Sequence, residues 1–232
     1  MVWWPFATKP ERADTLEVID LHSGAPLLYS TNFVVTTCLV GWHGVMCSMV
    51  AALILLSALQ TNADTLEARL APCLACHGVN GQSLIPEVPS LGGQPDFYLT
   101  IQLFMFREKL RVVEPMNQMM QGLKDDDLRR MAAYLAKLPP PKPIDDLVDP
   151  ARMERARALI EQHRCNFCHN QNFSGEQNVP RLAGQREDYL AKALREYKNN
   201  TRRGYDASMA DVLYPISDEQ IVDLAYFLAR VR

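Results

Sequence analysis

The chain has 232 residues, 48% of them hydrophobic and 22% charged, and a formal net charge of −3. That balance suits a globular protein of one large or two small domains. It excludes nucleic acid as a first reading: residues 1–63 carry two basic and four acidic groups, 64–143 nine of each, and 144–232 thirteen and fourteen, so no cationic face or tail emerges.

The first element in chain order is apolar. Residues 33–59 hold no charged side chain and end in the run Val50–Leu56, and roughly 20 such residues suffice to span a bilayer. Two readings are open. In one the segment is retained as an anchor, with Gly41, Trp42, His43 and Gly44 weakening its first half and only Lys9 and Arg12 ahead of it. In the other, translation starts at Met46 or Met49 and Thr61-Asn62-Ala63 is the cleavage site of a secretory signal. Both place residues 64–232 outside the cytoplasm. Residues 1–63 are therefore taken as an N-terminal extension; His22, His43, Cys38 and Cys47 within it receive no role.

After residue 63 the sequence repeats. Cys73-Leu-Ala-Cys76-His77, Pro89-Ser-Leu-Gly-Gly-Gln94, Tyr98-Leu99 and Leu123–Leu128 return as Cys165-Asn-Phe-Cys168-His169, Pro180-Arg-Leu-Ala-Gly-Gln185, Tyr189-Leu190 and Ile216–Ile221, at offsets of 91 to 93. Between the copies Pro139–Pro143 contains four prolines. It cannot continue a helix and reads as a stiff linker, so the expected units are 64–143 and 144–232.

Within each unit the patterns are helical. Leu128, Met131, Ala132 and Leu135 form an apolar stripe over Asp125–Leu138. Ser217 and Gln220 predict a capping box at the start of the equivalent helix. Phe97–Arg111 and Asp188–Arg202 predict a further pair. No alternating strand pattern is present, and the exported part is expected to be all-α.

CxxCH is the attachment signature of a c-type haem: two thiols reach two vinyl groups on one porphyrin edge, and the adjacent imidazole reaches the iron. Structural zinc would bring both CxxC pairs to one metal, whereas here they lie in separate copies, each with a histidine beside it. A redox-active dithiol belongs with a βαβ pattern, absent here. Cys73, Cys76, Cys165 and Cys168 are thus the expected attachment points, and His77 and His169 the proximal ligands.

Methionine usually only fills a core, but after His169 the sole methionine is Met209, seven residues before Ile216. The same step back from Leu123 selects Met116, and the histidine-to-methionine intervals agree at 39 and 40 residues. Met105, Met119 and Met120 are assigned to packing, the last two lying near enough to compete. A thioether opposite histidine favours reduced iron and fills the position where oxygen or peroxide would bind, which points to a carrier and not a catalyst. Pro89 and Pro180 offer carbonyls to orient the imidazoles, with a plain turn as the alternative. His163 reads as a solvated helix residue, and Tyr98 and Tyr189 as helix packing.

On these motifs, residues 64–232 resemble the bacterial diheme cytochrome c4 family, a duplicated class I cytochrome c. The resemblance implies two cytochrome c folds packed face to face, two covalent haem c groups with propionates near the interface, and delivery of electrons to a terminal oxidase or between a dehydrogenase and the respiratory chain in the periplasm. Residues 1–63 have no counterpart in that family, and Asn170 replaces its usual glycine. Two further readings stand beside the carrier: a diheme peroxidase, and a cytochrome subunit held at a membrane dehydrogenase or oxidase through residues 33–59.

Overall fold

The computed structural model describes residues 65–202 and 207–231. The apolar segment 33–59 and the other residues of the extension lie outside these. Among the described residues no helix is long and apolar enough to cross a membrane.

Helices make up both halves, and among the described residues β pairing is limited to one isolated bridge between Glu176 and Val179. The first half contains α1 (Leu66–His77), α2 (Asp96–Arg107), α3 (Met116–Met119) and α4 (Asp125–Lys137). The second contains α5 (Pro150–Gln162), α6 (Cys165–His169), α7 (Glu187–Lys198), α8 (Ser208–Leu213) and α9 (Asp218–Arg230).

Local chemistry fixes the helix starts. The Thr65 hydroxyl accepts from Ala68 N at 3.2 Å to open α1, and Asp149 caps α5 ahead of Pro150, which needs no N–H donor at the first helical position. At α9 the capping box forms as expected, with Gln220 N donating to Ser217 Oγ at 3.3 Å and Ser217 N to Gln220 Oε1 at 2.8 Å.

Two helices are shorter than their periodicity predicts: α2 stops at Arg107 and α7 at Lys198 instead of running to Arg111 and Arg202. The chain turns left-handed at Lys109 (φ 55°) and at Asn200 (φ 55°). Arg111 N then bonds back to Met105 O at 3.1 Å, and Arg202 N to Glu196 O at 3.1 Å. Both arginines leave the helix axis at equivalent points of the repeat.

Each half has its own apolar core. Leu128, Met131, Ala132 and Leu135 of α4 are buried with Leu70, Leu99, Leu103 and Phe106, as the stripe requires. Ile221, Leu224, Ala225 and Leu228 of α9 pack with Leu159, Ile160, Leu190 and Leu194 in the second half. Each Leu or Ile so buried contributes about 1.5–3 kcal/mol of transfer free energy. The proline linker is part of the packing: a Cβ at Gly184 (φ +71°) would stand 2.5 Å from Pro141 O, so glycine there lets the linker lie against the second half.

Candidate functional site

Helix α1 carries Cys73, Cys76 and His77 on its last turn. Cys73 and His77 are one turn apart and buried, while Cys76 is exposed. The His77 ring is fixed by its Nδ1, 2.7 Å from Pro89 O. A carbonyl can only accept, so Nδ1 carries the proton and Nε2 keeps its lone pair. Burial lowers the His77 pKa, the bond to Pro89 opposing it, so the ring is held neutral as a metal ligand requires. After His77 the chain needs Gly78 (φ +86°), where a Cβ would fall 2.0 Å from Gln82 O.

The second half reaches the same arrangement differently. Helix α5 ends at Gln162, Arg164 turns left-handed (φ 52°), and α6 presents Cys165, Cys168 and His169. His169 Nδ1 lies 2.9 Å from Pro180 O, and burial again lowers its pKa against that bond. Asn170 takes the positive φ of 66° that Gly78 takes in the first half. Its amide holds the turn, donating to Gly175 O at 3.1 Å and Ser174 Oγ at 3.2 Å, as asparagine can. None of the four motif cysteines is tied up in a disulfide, so each sulfur is available for attachment, and burial raises the thiol pKa of Cys73 and Cys165.

Both histidines face apolar cavities. Met116 lines the same cavity as His77, walled by Leu99, Leu103, Phe106 and Leu135. Met209 lines the same cavity as His169, Cys165 and Cys168, walled by Ile160, Leu194, Leu213, Leu224 and Leu228. Met105 and Met120 are buried, Met120 within the apolar core, and Met119 packs against that core. Asn117, beside Met116, is 1% exposed. Its Nδ2 donates to Phe106 O (2.8 Å) and Arg111 O (2.7 Å), and its Oδ1 accepts from Val113 N (2.6 Å). It fastens the methionine loop, and nothing in the spacing marks it. His163 is a correction: it is the half-buried C-cap of α5 and lines the cavity of His169 and Met209, because the left-handed Arg164 turns the chain inward there.

The His77 cavity takes in Arg111 of its own half and continues across the junction to His169, Tyr189, Arg202 and Met209. Tyr98 and Tyr189 line it instead of only packing helices. Arg202 has a side chain 4% exposed; its Nη1 donates to Tyr189 OH at 3.1 Å, and Arg111 Nη1 to Gln102 Oε1 at 2.7 Å. Burial opposes ionisation of Tyr189, but Arg202 and Arg111 outweigh it and bring the phenol down to about 8. Loss of solvent around the half-buried Tyr98, with Tyr189 beside it, pushes its phenol up to about 12. The Nε of both arginines is buried without a hydrogen-bond partner, and such donors call for an acceptor. Carboxylates at the edge of a planar group in the cavity would satisfy them, so thiol pair, neutral imidazole, thioether, apolar walls and cationic edge together fit haem c with its propionates.

A family model, cytochrome c, matches residues 68–139 and again 153–232. Cytochrome c4 of Pseudomonas aeruginosa is 30% identical over 173 residues, covering 70% of this chain and 85% of that protein. A thiosulfate dehydrogenase electron acceptor of Thiomonas intermedia is also 30% identical, over 68% of this chain and 78% of its own length. Among solved structures, reduced recombinant cytochrome c4 from Pseudomonas stutzeri superposes with a TM-score of 0.65 at 28% identity, over 73% of this chain and 98% of that one.

Proposed function

Because the chain belongs to the diheme cytochrome c4 family, with two tandem cytochrome c domains and two covalently bound haem c groups, we propose specific residues for each role in its electron-carrying function. Cys73 and Cys76 would attach one haem, and His77 and Met116 would hold its iron. Cys165 and Cys168 would attach the other, with His169 and Met209 holding that iron. The units are 64–143 and 144–232, joined at the proline linker. Bound iron supplies reversible one-electron chemistry, tuned by ligation and burial.

The observation that carries this reading is shared by both halves: a neutral histidine committed through Nδ1 to a proline carbonyl lines the same apolar cavity as a methionine. The proline carbonyls orient the imidazoles and strengthen their donation. Leucine walls would keep water from the group, and Arg111 and Arg202 would neutralise its carboxylates. With a methionine as well as a histidine holding each iron, peroxide would find no open site, which favours a carrier over a diheme peroxidase. The relative named as an electron acceptor for thiosulfate dehydrogenase supports the same choice.

The proposed setting is the periplasm, between a dehydrogenase or respiratory-chain donor and a terminal oxidase, free or held at the inner membrane through residues 33–59. Maturation of the full chain with c-type haem machinery tests the assignment. Intact mass should give two haems, and Cys73→Ala with Cys76→Ala should leave one, in the second half. Two haems retained after that change would refute it.

A further inference from the structure

The two halves are pinned together by a reciprocal pair of glutamines. Gln94 Oε1 accepts from Arg181 N at 2.9 Å while its Nε2 donates to Arg181 O at 2.9 Å. Gln185 Oε1 accepts from Ser90 N at 2.8 Å while its Nε2 donates to Ser90 O at 2.8 Å. The two glutamines are only 4% and 3% exposed. Their amide orientation is unambiguous, since a backbone N–H can only donate and a carbonyl only accept.

Arg181 and Ser90 directly follow Pro180 and Pro89. The Arg181 N–H therefore shares one peptide unit with the Pro180 carbonyl that holds His169, and the Ser90 N–H shares one with the Pro89 carbonyl that holds His77. A peptide group is conjugated, so an acceptor at its N–H pushes electron density onto its oxygen. That strengthens the hydrogen bond the oxygen accepts. The chain of contacts runs from Gln94 in the first half, through the Pro180–Arg181 peptide, to His169 in the second. A mirror chain runs from Gln185 to His77.

We propose that Gln94 and Gln185 are positioning residues that set, across the interface, the donor strength of the axial histidine in the opposite half. Each half thereby helps fix the potential of the other's haem through one buried side chain. A stronger Nδ1–H bond makes the imidazole a better donor to ferric iron and lowers the potential; loss of the glutamine raises it. With cooperative strengthening of roughly 10–30% per bond, the ferrous-to-ferric ratio at fixed ambient potential should change about twofold to fivefold, or roughly 20–40 mV at 59 mV per tenfold. The inference rests on the proposed ligation by His77 and His169.

The test uses the full holoprotein and its Gln94→Leu and Gln185→Leu variants, in a redox titration followed by NMR with haem resonances assigned to each half. In Gln94→Leu the haem of the second half should rise in potential while that of the first half stays, and in the reduced protein the His169 Nδ1–H resonance should move upfield while that of His77 stays. Gln185→Leu should give the mirror result. If a leucine variant does not accumulate, Gln94→Asn and Gln185→Asn, whose amides fall one methylene short, should show the same crossed pattern at smaller size. Equal shifts in both halves, a shift confined to the substituted half, or no shift with both ligand sets intact would overturn the proposal. Absence of histidine–methionine ligation in the unsubstituted protein would instead refute the ligand assignment beneath it.

Discussion

Asp223→Asn isolates the ion cluster that fastens α5, which leads into the second CxxCH, to α9, which walls the cavity of His169. The Asp223 carboxylate accepts from Arg155 Nε at 2.6 Å, Arg155 Nη2 at 3.1 Å and Arg152 Nε at 3.0 Å. Hydrogen bonds to charged groups contribute about 1.5–3 kcal/mol each. The Arg155 side chain is 57% exposed, so its share is screened, while Arg152 is 24% and Asp223 12% exposed. The substitution should therefore cost about 1–3 kcal/mol at neutral pH, or roughly 2–4 °C of Tm for each kcal/mol in a chain of this size. Arg155 holds the carboxyl below its usual range, burial opposes this, and Arg152 adds to the lowering. A depressed pKa stabilises the fold above the unfolded value of about 3.9 and loses that contribution as pH falls through the folded value. Urea unfolding by far-ultraviolet circular dichroism should thus show a full parent-to-variant difference from pH 7 to about 5, shrinking below about pH 4. A difference that persists undiminished in strong acid would refute the reasoning.

Met116→Ala and Met209→Ala should each abolish the methionine-to-ferric-iron band of one haem only and lower its potential, read by near-infrared spectroscopy and voltammetry; loss of neither band would reassign the ligand. Arg202→Leu removes a buried positive charge at the proposed propionate edge and should lower the haem potential in film voltammetry, whereas a rise would contradict the role given to its orphaned Nε. Gly78→Ala places a Cβ 2.0 Å from Gln82 O and should reduce haem incorporation in the first half by mass spectrometry, while Asn170→Gly should leave incorporation unchanged.

Much of the site is written in one dimension. The CxxCH spacing, the stripe of α4 and the Ser217 box are local devices; the stripe and the box form where their residues predict, and both CxxCH stretches fall on helices. The stops of α2 and α7 are hidden because they depend on left-handed turns at Lys109 and Asn200, and lysine does not advertise that conformation. Gln94 and Gln185 stand in plain repeat motifs, yet their partners lie in the other copy. Arg111 and Arg202 stand at the ends of the expected helices, and nothing in their spacing shows that the chain turns them into the cavity. His163 reads as solvated because its inward turn comes from the backbone of Arg164, not from its own neighbours in sequence.

The central claim, a diheme carrier with both irons closed by methionine, meets its most direct test in the purified full-length protein. A spectroelectrochemical titration in the presence and absence of peroxide should give two one-electron steps, methionine-to-iron bands on both ferric haems, and no peroxide turnover. A high-spin haem that consumes peroxide, or a single methionine-ligated centre, would contradict it.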